Sequence, residues 1–390
     1  MNYDVAIIGG GIHGVGAAQA AAVRGYKTIL IEQYDGLAHG TSSRSSKLIH
    51  GGLRYLEQFQ ISLVRECLQE RSYLLKNAPD LVQLKKVYIP VYKDSKRPPW
   101  MIFAGLSIYA LLGNLSRDAR FKCTTKHEWK QLYGLNVENL QAVFEYYEAQ
   151  TDDALLTRAV MDSAQEYGAE LMLGTKVNDI KLYDNSCELS CMPASGEAIT
   201  ITSKTIINAG GPWASSVLAH VQPRQEKVSV DLVQGAHIVL PVSLGEAIFY
   251  LESPDDKRPV FVMPWYGDTL IGTTETLFTQ EPGKTMPLAE EVEYLLKTFC
   301  HYFRELKPEQ LQIKHQFSGL RVLPNEKEDA NQRSRETIYL RDRKVKPRML
   351  SIFGGKLTAY RATSERAISC LLDSLPERQS YTDTKYLRLK

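Results

Sequence analysis

Asp4-Val5-Ala6-Ile7-Ile8-Gly9-Gly10-Gly11-Ile12-His13-Gly14 opens the chain with five residues that read as a buried strand, followed at once by glycines spaced G-x-G-x-x-G. An alanine-rich segment then runs with helical character to about Arg24, Gly25 ends it, and Thr28 to Glu32 read as a second strand. In such a β-α-β unit Gly9 permits the tight turn, Gly11 lets backbone approach a pyrophosphate, and Gly14 lets helix and strand pack closely. The helix start aims unpaired N–H groups at an anion. Glu32 closes the second strand where an acid would accept from an adenosine ribose. The pattern predicts dinucleotide binding; a glycine-rich turn beside a solvated glutamate is the bland alternative.

Outward from this unit, residues 60 to 77 read as an amphipathic helix, and Leu155, Leu156, Val160 and Met161 mark another near residue 153. Thr175 to Ile201 alternates like a β-meander. Ser203 to Ala209 is a short buried strand ending in Gly210-Gly211, and Met349 to Phe353 ends in Gly354-Gly355 before a helix expected from about Leu357. Strands ending in glycines at three distant places predict an α/β fold: a Rossmann-like cofactor domain assembled from 1–75, 150–228 and 320–376. An inserted α+β substrate domain is expected from 76–149 and 229–319, with a tail at 377–390.

Composition limits the alternatives. The 390 residues are 44% hydrophobic and 24% charged with a formal net charge of +2, as in ordinary globular protein, and the balance gives nucleic-acid binding no support. Of six cysteines only Cys187 and Cys191 lie close, on an alternating stretch. Four strand residues span roughly 13 Å, too far for a disulfide, and the spacing suits no metal knuckle. Reduced thiols and a cytoplasmic setting are expected. The first apolar run is already a fold element, so the mature protein is expected to start at Met1. Trp100 to Leu112 is too short to span a bilayer.

Three further stretches carry the chemistry. Gly40 to Tyr55 (Gly-Thr-Ser-Ser-Arg-Ser-Ser-Lys-Leu-Ile-His-Gly-Gly-Leu-Arg-Tyr) is dense in hydroxyls, glycines and cations, as suits a loop around phosphates and a flavin. By composition alone a flexible surface loop fits it nearly as well. With Asn208-Ala209-Gly210-Gly211-Pro212-Trp213 and Phe353-Gly354-Gly355-Lys356-Leu357-Thr358-Ala359-Tyr360-Arg361, it resembles the FAD-dependent, aerobic glycerol-3-phosphate dehydrogenases of the D-amino-acid-oxidase-like superfamily. The likeness extends over nearly the whole chain, including Arg97 to Met101 and Ile271 to Thr274. Typical relatives carry a further C-terminal helical domain, which this sequence lacks.

The resemblance implies noncovalent FAD, with contacts at Gly9, Gly11, Gly14, Glu32, Ser42, Ser43, Lys47, Leu48, Gly210, Gly355 and Thr358. It implies a phosphorylated polyol as substrate, oxidised from sn-glycerol 3-phosphate to dihydroxyacetone phosphate, with electrons passed to a quinone or another acceptor. Arg54, Tyr55 and Arg335 would clamp the phosphate, because a dianion wants more than one cation and arginine offers a planar fork of donors. His237 would be the general base, with a near-neutral pKa suited to the work. Arg321 would orient the substrate oxygen, and Lys356, at a helix start, would face the flavin or the substrate.

Each has a plainer reading. His237 sits on an apolar strand where a lone histidine is more often structural, Arg54 and Tyr55 could pack the loop, and Arg335, with Arg333 beside it, could be a solvated charge. Two other functions fit part of the sequence: a related flavin enzyme acting on an amino acid or 2-hydroxy acid, and a flavin-binding subunit without turnover. Finally, residues 85 to 112 set Lys85, Lys86, Lys93, Lys96 and Arg97 beside Trp100, Met101, Ile102, Phe103, Leu106 and Tyr109. That composition suits peripheral contact with the cytoplasmic face of a membrane.

Overall fold

The computed structural model of the chain describes residues 2–306, 308–325 and 337–390. Asn2–Ile8 forms a strand whose residues are buried from Tyr3 onward, the continuous apolar run expected of a parallel strand covered on both faces. It pairs in parallel with Thr28–Ile31 on one side, Ile8 opposite Ile31, and with Ile199–Asn208 on the other, Ile8 opposite Asn208. Ile199–Asn208 pairs in turn, in parallel, with Met349–Phe353, Asn208 opposite Ser351. Register therefore brings the carboxyl ends of three strands, each followed by glycines, to one edge of one sheet. Ligands of open α/β sheets bind outside that edge.

The helix Ile12–Val23 crosses this sheet almost wholly buried and packs on Asp153–Glu166 and Tyr360–Ser369. Asp152 caps the second of these by accepting from Ala154 N and Leu155 N at 3.0 and 3.1 Å. Two expectations need correction. The meander's last strand and the short glycine-ended strand are one strand, Ile199–Asn208: its first half pairs antiparallel with Cys187–Pro193 and its second half in parallel with Asn2–Ile8. The last helix starts at Tyr360 rather than Leu357, because Thr358 Oγ1 accepts from His50 N at 3.0 Å and donates to His50 O at 3.2 Å, holding residues 354–359 as a turn.

A second sheet, largely antiparallel, is built around Val82–Tyr92, Leu140–Thr151, Val230–Leu240, Asp268–Gly272 and His315–Pro324. It also takes in Leu48–Ile49, from the first sequence segment, and the whole of His315–Pro324, which runs across the 319/320 division. The C-terminal residues are held on the helices Ile12–Val23 and Ile61–Asn77: Tyr381 N donates to Val23 O, Leu389 N to Asn77 O, and Leu387 and Leu389 are buried. All six cysteines are free, with Cys187 and Cys191 both on Cys187–Pro193. Among the described residues no helix is long and apolar enough to cross a membrane.

Candidate active site

One cavity of about 870 Å³ lies between the glycine edge of the first sheet and a face of the second. Gly9, Gly11, Glu32, Ser42, Leu48, Gly210, Gly355 and Thr358 line it, and so do Arg54, Tyr55, His237, Arg321 and Lys356. Gly9 has φ +109°, and a Cβ there would stand 2.6 Å from the Ala209 carbonyl oxygen. Ser42 Oγ accepts from Ile12 N at 2.9 Å, and Glu32 accepts from Gly10 N and Tyr34 N. The helix start carries no acidic residue in its first turn, leaving its positive end available to an anion.

Three of the expected cofactor contacts do not line the cavity. Gly14 serves packing: a Cβ would lie 1.8 Å from Gly9 O. Ser43 reaches only Gly40 O, at 3.4 Å. Lys47 is buried away from the cavity, with Nζ 2.6 Å from both Asp153 Oδ1 and Ser43 O and above the rings of Trp265 and Phe317. The spacing of residues 42–48 could not show this, because the carboxylate that captures Lys47 is 106 positions away.

The second sheet sets the polar wall. Val230–Leu240 runs antiparallel to His315–Pro324 with Val233 opposite Arg321 and His237 opposite Phe317. Residues 233 and 237 share a face, so Arg321 and His237 emerge together. Two glycines make the room: a Cβ on Gly272 would come 2.1 Å from His237 Cδ2, and one on Gly235 2.3 Å from Arg321 Nη2. Arg321 donates to Glu275 Oε1 at 2.7 Å and to Thr274 O at 2.5 Å. Arg54, on the turn Leu53–Gln58, places Nη2 3.9 Å from the same Glu275 oxygen. Lys356 Nζ sits 3.8 Å from the Tyr55 ring centroid, four residues short of the helix start assigned to it. Arg335, and Arg333 beside it, lie outside the described residues.

His237 is 2% exposed, stacks on Phe317 at 5.0 Å, and has Nε2 2.9 Å from Ser46 Oγ. Burial, then the charges of Lys47 and Arg321, push its pKa down to about 3, below the near-neutral value expected from the sequence. His50 is pushed to about 3 by burial and by Lys356, Arg54 and Arg71, and His13 to about 4 by burial. Three neutral imidazoles thus line a cavity whose walls carry Arg54, Arg321 and Lys356 as well as the carboxylates Glu32 and Glu275. Sequence reading missed Ser46 as a partner and Glu275 altogether. The likeness noted in the sequence ends at Thr274, one residue short, and only the fold brings Glu275 to two arginines.

A glycine-edged α/β cradle that faces a wall of cations and imidazoles across one cavity defines a dinucleotide-dependent oxidoreductase. The chain belongs to the FAD-dependent oxidoreductase (DAO) family, whose model matches residues 4–361, and its cofactor is FAD. It is 37% identical to a glycerol-3-phosphate dehydrogenase of Pseudomonas aeruginosa, over 95% of this chain and 71% of that one. It is 34% identical to a D-erythritol 1-phosphate dehydrogenase of Brucella abortus, over 96% and 74%. Among solved structures it resembles a glycerol-3-phosphate dehydrogenase from Bacillus halodurans complexed with FAD, with TM-score 0.75 and 26% identity, covering all of this chain and 68% of that one. Gly9, Gly11, Glu32, Ser42, Gly210 and Gly355 fit the cofactor as its holders, since they line the same continuous cavity at the helix start and strand ends.

Proposed function

We propose that the protein oxidises sn-glycerol 3-phosphate to dihydroxyacetone phosphate. The observation that carries this reading is the meeting of Arg54, Arg321, Lys356 and neutral His237 on the cavity that the glycine cradle also lines. Bound FAD supplies the two-electron acceptor for the hydrogen on substrate C2. Arg54, with Tyr55 beside it and Arg335 from the sequence assignment, holds the phosphate dianion. Arg321 donates to the reacting oxygen and stabilises the negative charge that grows on it. His237, neutral, on the cavity and with Nε2 2.9 Å from Ser46 Oγ, accepts the hydroxyl proton. Its depressed pKa keeps the base form present, and an arriving dianion raises it toward the range where proton transfer is effective. Lys356 adds positive charge where electrons arrive. In terms of the segments expected from the sequence, 1–75, 150–228 and 320–376 supply Arg54, Arg321 and Lys356 as well as the glycine cradle, and 76–149 and 229–319 supply His237.

Electrons leave for a quinone or another acceptor at the cytoplasmic face of a membrane, met through the helix Pro99–Leu112. Trp100, Phe103, Ile108 and Leu111 of that helix are exposed, which supports the contact. The reading is tested by anaerobic bleaching of the flavin with glycerol 3-phosphate, D-erythritol 1-phosphate, a 2-hydroxy acid and an amino acid in turn. Fastest bleaching by glycerol 3-phosphate is expected. Preference for D-erythritol 1-phosphate would move the substrate to a longer polyol phosphate, and preference for a carboxylate substrate would overturn the phosphate clamp.

A further inference from the structure

Glu275 follows the strand Asp268–Gly272, and its side chain is 6% exposed while lining the cavity. Its Oε1 accepts from Arg321 Nη1 at 2.7 Å and stands 3.9 Å from Arg54 Nη2, while its carbonyl lies 3.5 Å from Arg258 Nη1. Arg321 comes from a strand of the second sheet and Arg54 from a turn 267 positions earlier, and this carboxylate lies between them. A guanidinium held by a carboxylate is fixed in plane and direction as well as in place. The neighbouring Thr274 carbonyl, 2.5 Å from Arg321 Nη2, locks the same fork from a second side.

The geometry points to Glu275 as a positioning residue that sets the spacing of Arg54 and Arg321 and reduces the positive charge an incoming phosphate meets. The inference rests on reading the cavity as a site for a phosphorylated polyol. Two arginines without the carboxylate attract substrate and product phosphate alike. Such uniform binding lowers KM without speeding the chemical step and retains product. Shared between them, Glu275 gives up part of that affinity and in return holds Arg321 on the reacting oxygen.

The test separates affinity from rate in the FAD-loaded protein. Glu275→Gln keeps the size and one oxygen acceptor but removes the charge. Inorganic phosphate, followed by calorimetry, is expected to bind it on the order of fivefold to tenfold more tightly than wild type. Flavin reduction at saturating glycerol 3-phosphate is expected to slow by about tenfold or more. Glu275→Asp, which keeps the charge but draws it back from the arginines, should return phosphate affinity to the wild-type value while reduction stays slow. A group that only supports the fold would instead lower FAD content and weaken affinity and rate together. Unchanged phosphate affinity, or weaker affinity, in Glu275→Gln with full FAD overturns the assignment, as does an unchanged reduction rate. If wild type is not reduced by glycerol 3-phosphate but phosphate still binds Glu275→Gln more tightly, the polyol reading falls while the control of anion affinity by Glu275 stands.

Discussion

Arg71 and Arg321 are two inward-facing guanidiniums of this molecule, and they differ in what surrounds them. Arg71, 1% exposed, donates to Glu148 Oε2 at 2.6 Å, to Tyr147 O at 2.7 Å, and to the carbonyl and carboxylate of Asp118 at 2.9 and 3.3 Å. One cation meets two carboxylates, and Glu148 is also bound by Tyr109 and by Gly51 N at 3.3 Å. Arg321, its side chain 26% exposed, shares Glu275 with Arg54 on the cavity wall, where Lys356 adds a further cation. In the first cluster two carboxylates answer one cation, and Glu148 ties Gly51 to the elements behind it. The second favours an anionic ligand. Charge balance, more than burial, distinguishes Arg71 from the arginine proposed to meet substrate.

The sharpest way to break this contrast is at Arg71. Arg71→Met leaves Glu148 buried without its cation, and removing one member of such a pair costs about 3–5 kcal/mol of stability. Denaturation of the apoprotein should show this loss; a change below about 1 kcal/mol would mean that the network does not hold the fold in the way its contacts imply.

Arg321→Ala should do the reverse. Flavin reduction by glycerol 3-phosphate is expected to fall roughly 100-fold or more, as on removing a preorganised donor to a developing oxyanion, with FAD content unchanged. Normal reduction kinetics would take Arg321 out of the chemistry and dissolve the distinction between the two arginines.

His237 sharpens the comparison through pH. Its folded pKa is depressed to about 3 by burial and by the cations around it, against about 6.5 for an unfolded histidine. The native imidazole is neutral between these values while the unfolded chain takes up a proton. This contribution is therefore fully present above the unfolded pKa and lost as pH falls toward the folded one. The slope is about 1.4 kcal/mol per pH unit, or roughly 2 kcal/mol by pH 5. Denaturation of the apoprotein at pH 7 and pH 5 should show a smaller acid loss in His237→Gln than in wild type. Equal losses would mean that the imidazole charges freely in the folded protein.

The features readable in the sequence were those with local causes. Val5 to Ile8 followed by Gly9, Ser203 to Ala209 followed by Gly210, and Met349 to Phe353 followed by Gly354 each combine an apolar run with a turn residue, and both signals lie within ten positions. Arg54, His237, Arg321 and Lys356 were marked by motif, and the fold brings all four to one cavity. Pairings made across the chain were hidden. Lys47 was expected at FAD, but its ammonium is held by Asp153; Lys356 was expected at a helix start, but Thr358 is tied to His50; and Glu275 had no sequence neighbour to suggest two arginines.

The smallest effect is expected at an apolar surface. Ile102, Leu106 and Tyr109 of the helix Pro99–Leu112 are buried, so half of the apolar set first assigned to a membrane face points inward. Several of its cations are also engaged: Lys85 with Glu246, Lys86 with Glu145, and Arg97 with Glu57 and Glu252. What remains outward is Trp100, 68% exposed, Leu111 at 63%, Phe103 at 55%, Ile108 at 45% and Met101 at 39%. An amphipathic surface of this kind lies in the headgroup boundary without spanning it, and its binding scales with apolar area first and with attraction to anionic lipid second. With Lys85, Lys86 and Arg97 already paired, the electrostatic part should be weak. Sedimentation with anionic liposomes is therefore expected to fall only a few-fold between low and high salt. The Trp100→Ala, Phe103→Ala double variant should lose about threefold to tenfold of wild-type binding at either salt, because it removes exposed ring area rather than charge. Wild type remaining in the supernatant at low salt would assign this face to some contact other than lipid and leave the protein reducing a diffusible acceptor.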